Sequence, residues 1–190
     1  HDIGKTKVPL EILNKPGRFE PHELEEMRKH TIYSEEILRE MSGITEEGFF
    51  VAAQHHEMLN GSGYPHSLKG GEIHRLGQIT AISDVYDALT SARVYKPALT
   101  PHTALSQIYG DRDKEFRSDV VELFIKALGL YPVSSLVALN TGEVGVVCEP
   151  NPEDSRQPKV GVIITRYAKR RATPLVVDLA DPHASEERKI

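Results

Sequence analysis

The sequence predicts a mainly α protein followed by a small antiparallel β module, and three observations carry that reading. Apolar residues recur at 3/4 spacing through roughly the first 130 residues. Short β-branched runs separated by turn residues fill most of the remainder. The two patterns change over at Leu130-Tyr131-Pro132, which divides the chain into a helical domain over 1-130, a β-rich module over 131-180 and a polar tail over 181-190.

Each element has a local cause. From Pro21 to Met41 the residues Leu24, Met27, Thr31, Ser34, Leu38 and Met41 form one helical stripe that ends at Gly43. Thr45 caps the next helix, with Glu46 and Glu47 in the first turn where the helix dipole favours them, and the helix stops at Asn60-Gly61-Ser62-Gly63-Tyr64-Pro65. A third helix runs from about Leu76 to Ala92, with one large apolar face and one of small residues around Asp84. Thr100-Pro101 opens a helix that Gly110 closes, and Ser118 opens another that Gly129 closes. Ser135-Leu139, Glu143-Cys148, Lys159-Thr165 and Leu175-Leu179 read as strands.

Composition narrows the function. The 190 residues carry 23 basic and 28 acidic side chains, a net charge of −5 without long single-sign blocks, which argues against gripping polymeric nucleic acid. Any phosphate ligand must be met locally. No apolar run is long enough to span a bilayer and no leader precedes the first element, so a cytoplasmic protein without a membrane segment is expected. The single cysteine, Cys148, excludes a disulfide framework, and its apolar context predicts an inert buried thiol.

Nine histidines are the unusual feature, and eight of them precede residue 103. His1-Asp2 alone reads equally as a helix end or a ligand pair. His30 borders the stripe of its helix and reads as a hydrogen-bonded core histidine or a ligand. Adjacent side chains on a helix diverge by about 100°, so His55 and His56 cannot chelate one ion as an i, i+4 pair does but can serve neighbouring ions. Asp84 sits among small residues, where an unpaired carboxylate is expensive to bury and a cation relieves the cost. These six nitrogen and oxygen donors, without thiolate, suit Fe, Mn, Ni, Co or Zn, and two such metals can clamp a phosphoryl group around a bridging hydroxide.

Taken in order, His1-Asp2-Ile3-Gly4-Lys5, His30, His55-His56-Glu57, Gly61-Ser62-Gly63-Tyr64-Pro65, Asp84-Val85-Tyr86-Asp87-Ala88-Leu89-Thr90-Ser91, Arg93 and Tyr95-Lys96 resemble the HD-GYP family, a branch of the HD phosphohydrolases. The resemblance covers residues 1 to about 129. It implies an HD-type helical bundle, here N-terminally truncated because family members have a further helix before the His-Asp pair. It also implies a bacterial signalling phosphodiesterase that hydrolyses cyclic di-GMP to pGpG, and in some members to GMP, with two or three divalent transition metals, Fe, Mn or Ni ahead of Zn. His1, Asp2, His30, His55, His56 and Asp84 match the ligand positions, with Asp2 bridging. Lys5 matches the lysine beside the metals, Arg93 and Lys96 match phosphate-holding positions, and Tyr64 matches the residue lining the substrate pocket. A diguanylate cyclase (GGDEF) partner at the Tyr64 loop and a homodimer complete the implied partners. Two competing readings keep the same residues: an HD phosphohydrolase acting on another cyclic dinucleotide or nucleotide, and a non-catalytic cyclic di-GMP sensor or docking module.

Overall fold

A computed structural model describes residues 1–92 and 97–190, apart from the side chain of Ser185. The described residues are mainly helical, with one four-stranded sheet. They form two compact units, one of 1–99 with 107–121 and the other of 100–106 with 122–190. No helix among the described residues is long and apolar enough to cross a membrane.

The first unit begins with a 3-10 helix, Ile3–Lys7, and a single turn, α1 (Leu10–Leu13). Next come α2 (Pro21–Arg28), α3 (His30–Glu40), α4 (Glu46–Gln54) and α5 (Arg75–Thr90). The single helix expected from Pro21 to Met41 is therefore two. Side chains account for the break: the His30 ring bonds the Met27 carbonyl at 2.6 Å and the Thr31 hydroxyl donates to the Arg28 carbonyl at 3.0 Å, so carbonyls of the junction are taken up locally. The Thr45 cap is present, its hydroxyl accepting from the Gly48 N–H at 3.2 Å. Buried Val8, Ala52, Ala53, Ile73, Ala81 and Ile82 make up much of this unit's apolar interior. Helices α6 (Pro101–Gly110) and α7 (Ser118–Leu128) each have residues in both units.

The second unit holds an antiparallel meander, β1 (Leu136–Ala138), β2 (Val144–Glu149), β3 (Lys159–Ile164) and β4 (Arg170–Asp178), paired in sequence order. Its core is Val137, Leu139, Val147, Val160, Val162, Val177 and Leu179. Cys148 is exposed rather than buried. Strand alternation explains the correction, because Gly145 and Val147 point inward and Cys148 comes next on the outer face. The polar tail is also structured: Pro182–Glu187 forms α8, and the Lys189 N–H donates to the Asn140 side chain at 2.8 Å while its carbonyl accepts from the Asn140 N–H.

Candidate metal and phosphoryl site

The site begins with a close approach of two backbones. Gly4, in the 3-10 helix, lies so near α3 that a Cβ there would fall 1.9 Å from the His30 carbonyl oxygen. Only glycine fits. The buried Ser34 hydroxyl then ties the segment down, accepting from the Gly4 N–H at 2.9 Å and donating to the His1 carbonyl at 3.2 Å. This contact carries His1 and Asp2 to the first residue of α3, which is His30.

Helix α4 ends at Gln54, so His55 is its cap residue and His56 lies in the turn beyond. The 100° divergence expected of adjacent helical residues does not apply there. Instead the two rings stand 4.2 Å apart, and His30, His55 and His56 bring one ligand atom each to within 4.8 Å of one another. His1, Asp2 and His55 form a second such group, which shares His55 with the first. Asp84, from α5, stands at the edge with one oxygen 4.0 Å from His1 Nε2 and the other 3.9 Å from His56 Nδ1.

Hydrogen bonds place the Nδ1 proton of two rings. His30 Nδ1 donates to the Met27 carbonyl, and His55 Nδ1 donates to the Ala52 carbonyl at 2.9 Å. A neutral imidazole with Nδ1 protonated presents a bare lone pair at Nε2. Those two Nε2 atoms face each other at 3.3 Å and lie 3.5 and 3.7 Å from Asp2 Oδ1, a buried oxygen with no hydrogen-bond partner. Three acceptors therefore converge without a donor among them. A proton or a cation has to supply the missing attraction, and backbone-oriented imidazoles with a carboxylate are the donor set that divalent metals take.

The electrostatics agree. Burial works to raise the Asp2 carboxyl, but the Lys5 ammonium bonded to its Oδ2 outweighs burial and holds the group well below the usual carboxylate range. Burial lowers His30 and pushes His56 down to about 3, which keeps its ring neutral and able to ligate. Lys5 Nζ bonds Asp2 Oδ2 at 2.5 Å. His1, Asp2, Lys5 and Asp84, with Thr80 and Ser83, line an open cavity of about 480 Å³ that Asp87 also reaches.

Tyr64 stacks on His56 with ring centres 4.6 Å apart and meets His30 edge-on at 6.3 Å. Arg28 lies over the same ring at 5.2 Å, and burial raises the phenol so that it stays protonated. Its loop presses on the turn after α4, where a Cβ at Gly63 would come within 2.4 Å of the His56 carbonyl.

Two supporting residues have no role in the motif pattern. The buried Glu57 carboxylate accepts from the His66 and Leu68 N–H groups at 2.7 and 2.9 Å, and the buried Glu35 accepts from His66 Nε2 at 2.6 Å. Glu57 stands in the His55-His56-Glu57 motif, but the sequence alone assigns it no role. Glu35 carries no signal there, because beside Glu36 on a helix it reads as solvated charge. Arg93 and Lys96 lie outside the described residues.

A family model described as HD domain matches residues 1–120. The cyclic di-GMP phosphodiesterase PA4108 of Pseudomonas aeruginosa is 36% identical over 179 residues, covering 94% of this chain and 43% of that protein. A cyclic di-GMP phosphodiesterase of Thermotoga maritima is 42% identical over 127 residues, covering 66% and 34%. The 3'3'-cGAMP-specific phosphodiesterase 2 of Vibrio cholerae is 39% identical over 130 residues, covering 66% and 24%. The chain thus spans less than half the length of these curated relatives. Among solved structures, Bd1817, an HDG"Y"P protein from Bdellovibrio bacteriovorus, shares the fold at a TM-score of 0.51 and 19% identity, over 64% of this chain and 38% of that one. With its His-Asp pair, its histidine cluster and its Gly63-Tyr64-Pro65 loop built around one centre, the chain belongs to the HD domain family.

Proposed function

We propose that the helical unit is a metal-dependent phosphodiesterase that hydrolyses cyclic di-GMP, with pGpG as its product. The observation that carries the reading is the donorless convergence of His30 Nε2, His55 Nε2 and Asp2 Oδ1. HD domain membership implies a divalent metal, and the relatives' names supply the substrate class. His1, Asp2, His30, His55, His56 and Asp84 would hold two or three metals, with Fe, Mn or Ni ahead of Zn for this thiolate-free set. Bound there, they would lower the pKa of a water and offset charge on the phosphoryl oxygens.

The chain's own groups do the rest. Asp2 stays ionised and presents both carboxylate oxygens. Lys5 lines the cavity next to Asp2 and is placed to offset charge on a phosphate oxygen. Tyr64 covers His30 and His56 with a neutral ring, excluding water from that side while leaving the cavity beside Lys5 open. Arg93 and Lys96 retain the phosphate-holding role that the motif implies.

The Vibrio relative's name favours a second reading, in which the substrate is 3'3'-cGAMP. The test runs both dinucleotides with protein loaded anaerobically with Fe²⁺ or Mn²⁺ and resolves the products by chromatography. We expect pGpG from cyclic di-GMP, lost on chelation and in Asp2→Asn. Preferential cleavage of 3'3'-cGAMP selects the second reading. Tight binding of cyclic di-GMP without turnover by metal-loaded protein leaves the sensor module instead. A cytoplasmic location, a homodimer and docking of a diguanylate cyclase on the exposed Ser62, His66 and Ser67 of the Tyr64 loop belong to the same proposal.

A further inference from the structure

The β3–β4 hairpin carries the densest positive run in the chain, Arg166-Tyr167-Ala168-Lys169-Arg170-Arg171. Beside it is a cavity of about 390 Å³ whose wall includes Arg166, Arg171 and Arg188, the hydroxyl-bearing Thr141 and Thr165, and the ring of Tyr167. Two carboxylates also reach this cavity, and Arg188 engages both: its Nε donates to Glu143 Oε2 at 2.7 Å and its Nη1 to Glu187 Oε2 at 3.2 Å. Glu143 accepts from the Thr141 hydroxyl as well, at 2.9 Å.

That leaves Arg166 and Arg171. Among the described residues neither has a carboxylate within ion-pair distance, the Arg171 charge reaching Glu143 only from farther off, and Arg171 Nε is buried with no hydrogen-bond partner. Arg166 lies over the Tyr167 ring at 4.9 Å, and Tyr167 as a residue is 71% exposed. A buried guanidinium N–H without an acceptor carries a desolvation cost that an oxygen-rich anion removes. The planar fork of arginine matches a phosphate group in particular. We propose that this cavity binds the phosphate group of a small ligand, either inorganic phosphate or a nucleotide whose base rests on Tyr167. The site lies wholly in the second unit and does not depend on the phosphodiesterase reading.

The test is a residue-resolved amide NMR titration of the full chain with inorganic phosphate, then with GMP, against KCl at matched ionic strength. Saturable shifts are expected at Thr141 and Thr165–Arg171, with a separate response around Asp2 if the metal site also takes the ion. Arg166→Gln and Arg171→Gln should each weaken the hairpin response roughly tenfold, the loss of one charge-assisted contact. Arg171→Lys, which keeps the charge but loses the fork, provides a second variant should glutamine disturb the sheet. Tighter binding of GMP assigns the Tyr167 ring to the site, whereas equal binding limits the site to the phosphate; both uphold it. Shifts reproduced by KCl, or unchanged affinity in well-folded variants, would overturn it.

Discussion

The two units leave opposite partners missing. At the centre of the helical unit, acceptors gather without donors: two imidazole lone pairs and a carboxylate oxygen lie within 3.3–3.7 Å of one another. At the rim of the sheet unit, guanidinium donors outnumber their acceptors: among the described residues Arg166 and Arg171 have no carboxylate within ion-pair distance, around a cavity whose Glu143 and Glu187 are held by Arg188. The first arrangement asks for a cation and the second for an anion. In both places ordinary interactions stand beside the imbalance: ring-to-carbonyl bonds and glycine contacts around the histidines, and an aliphatic core in the sheet unit.

The contrast is tested most severely at Asp2. Asp2→Asn replaces a charged acceptor by an amide that can donate into the cluster, so the demand for a cation falls. Metal per chain, read by elemental analysis, and turnover should both drop at least about 100-fold, beyond what losing an outer-shell partner costs. Full metal content and turnover in Asp2→Asn would remove the acceptor-rich centre as the reason for metal binding.

Gly4→Ala comes next. Its Cβ would collide with the His30 carbonyl, and backbone cannot swing away as a side chain can. We expect a loss of about 3 kcal/mol in denaturant unfolding together with reduced metal content. Unchanged stability would mean that the first turn does not press on α3 in solution.

Smaller effects are expected at the Tyr64 loop. Tyr64→Ala uncovers His56 and His30 and should slow turnover on the order of tenfold while metal content holds, since misplacement of a positioned group costs rate rather than ligands. Glu35→Gln should do less, because Glu57 still holds the loop backbone at residues 66 and 68. Steady-state kinetics on metal-matched protein rank the two variants, and a larger loss in Glu35→Gln would reverse the assignment.

The smallest effect belongs to the sheet unit. Burial raises Glu143, but Arg188, Thr141 and Arg171 outweigh it and bring the carboxyl below its usual 4.5. A depressed folded value means stability that is present above pH 4.5 and lost as the pH falls through the folded pKa. Glu143→Gln should cost about 1 kcal/mol at neutral pH and flatten that acid dependence. Acid melting monitored at the sheet checks it, and an identical profile in wild type and variant would count against the Glu143–Arg188 pair.

Much of the molecule was legible in the residues. The six cluster members were readable from motif order, since each is a residue type that is costly to bury without a partner. The strands were readable from β-branched runs, and the Thr45 cap from its spacing to the acidic first turn. Three things were not. The stripe through Met27 and Thr31 keeps helical spacing across the junction, so the break at Lys29 is invisible until the His30 ring is seen on a backbone carbonyl. Cys148 lies in an apolar run whose composition suggests burial, although its alternation with Val147 already pointed outward. The meeting of His55 and His56 depends on where α4 stops, and helix ends are the least determined feature of a sequence.

The two carbonyls that hold the His30 and His55 rings belong to the last turns of α2 and α4, where helices fray first. The imidazole orientations are therefore set as the helices form, and a metal arriving later finds rings whose rotation has already been restricted. The same coupling runs in reverse on warming. Loosening either helix end frees a ring before the core opens, so the protein should release its ions below its melting temperature, and its working range would then be set by two terminal helical turns rather than by its interior.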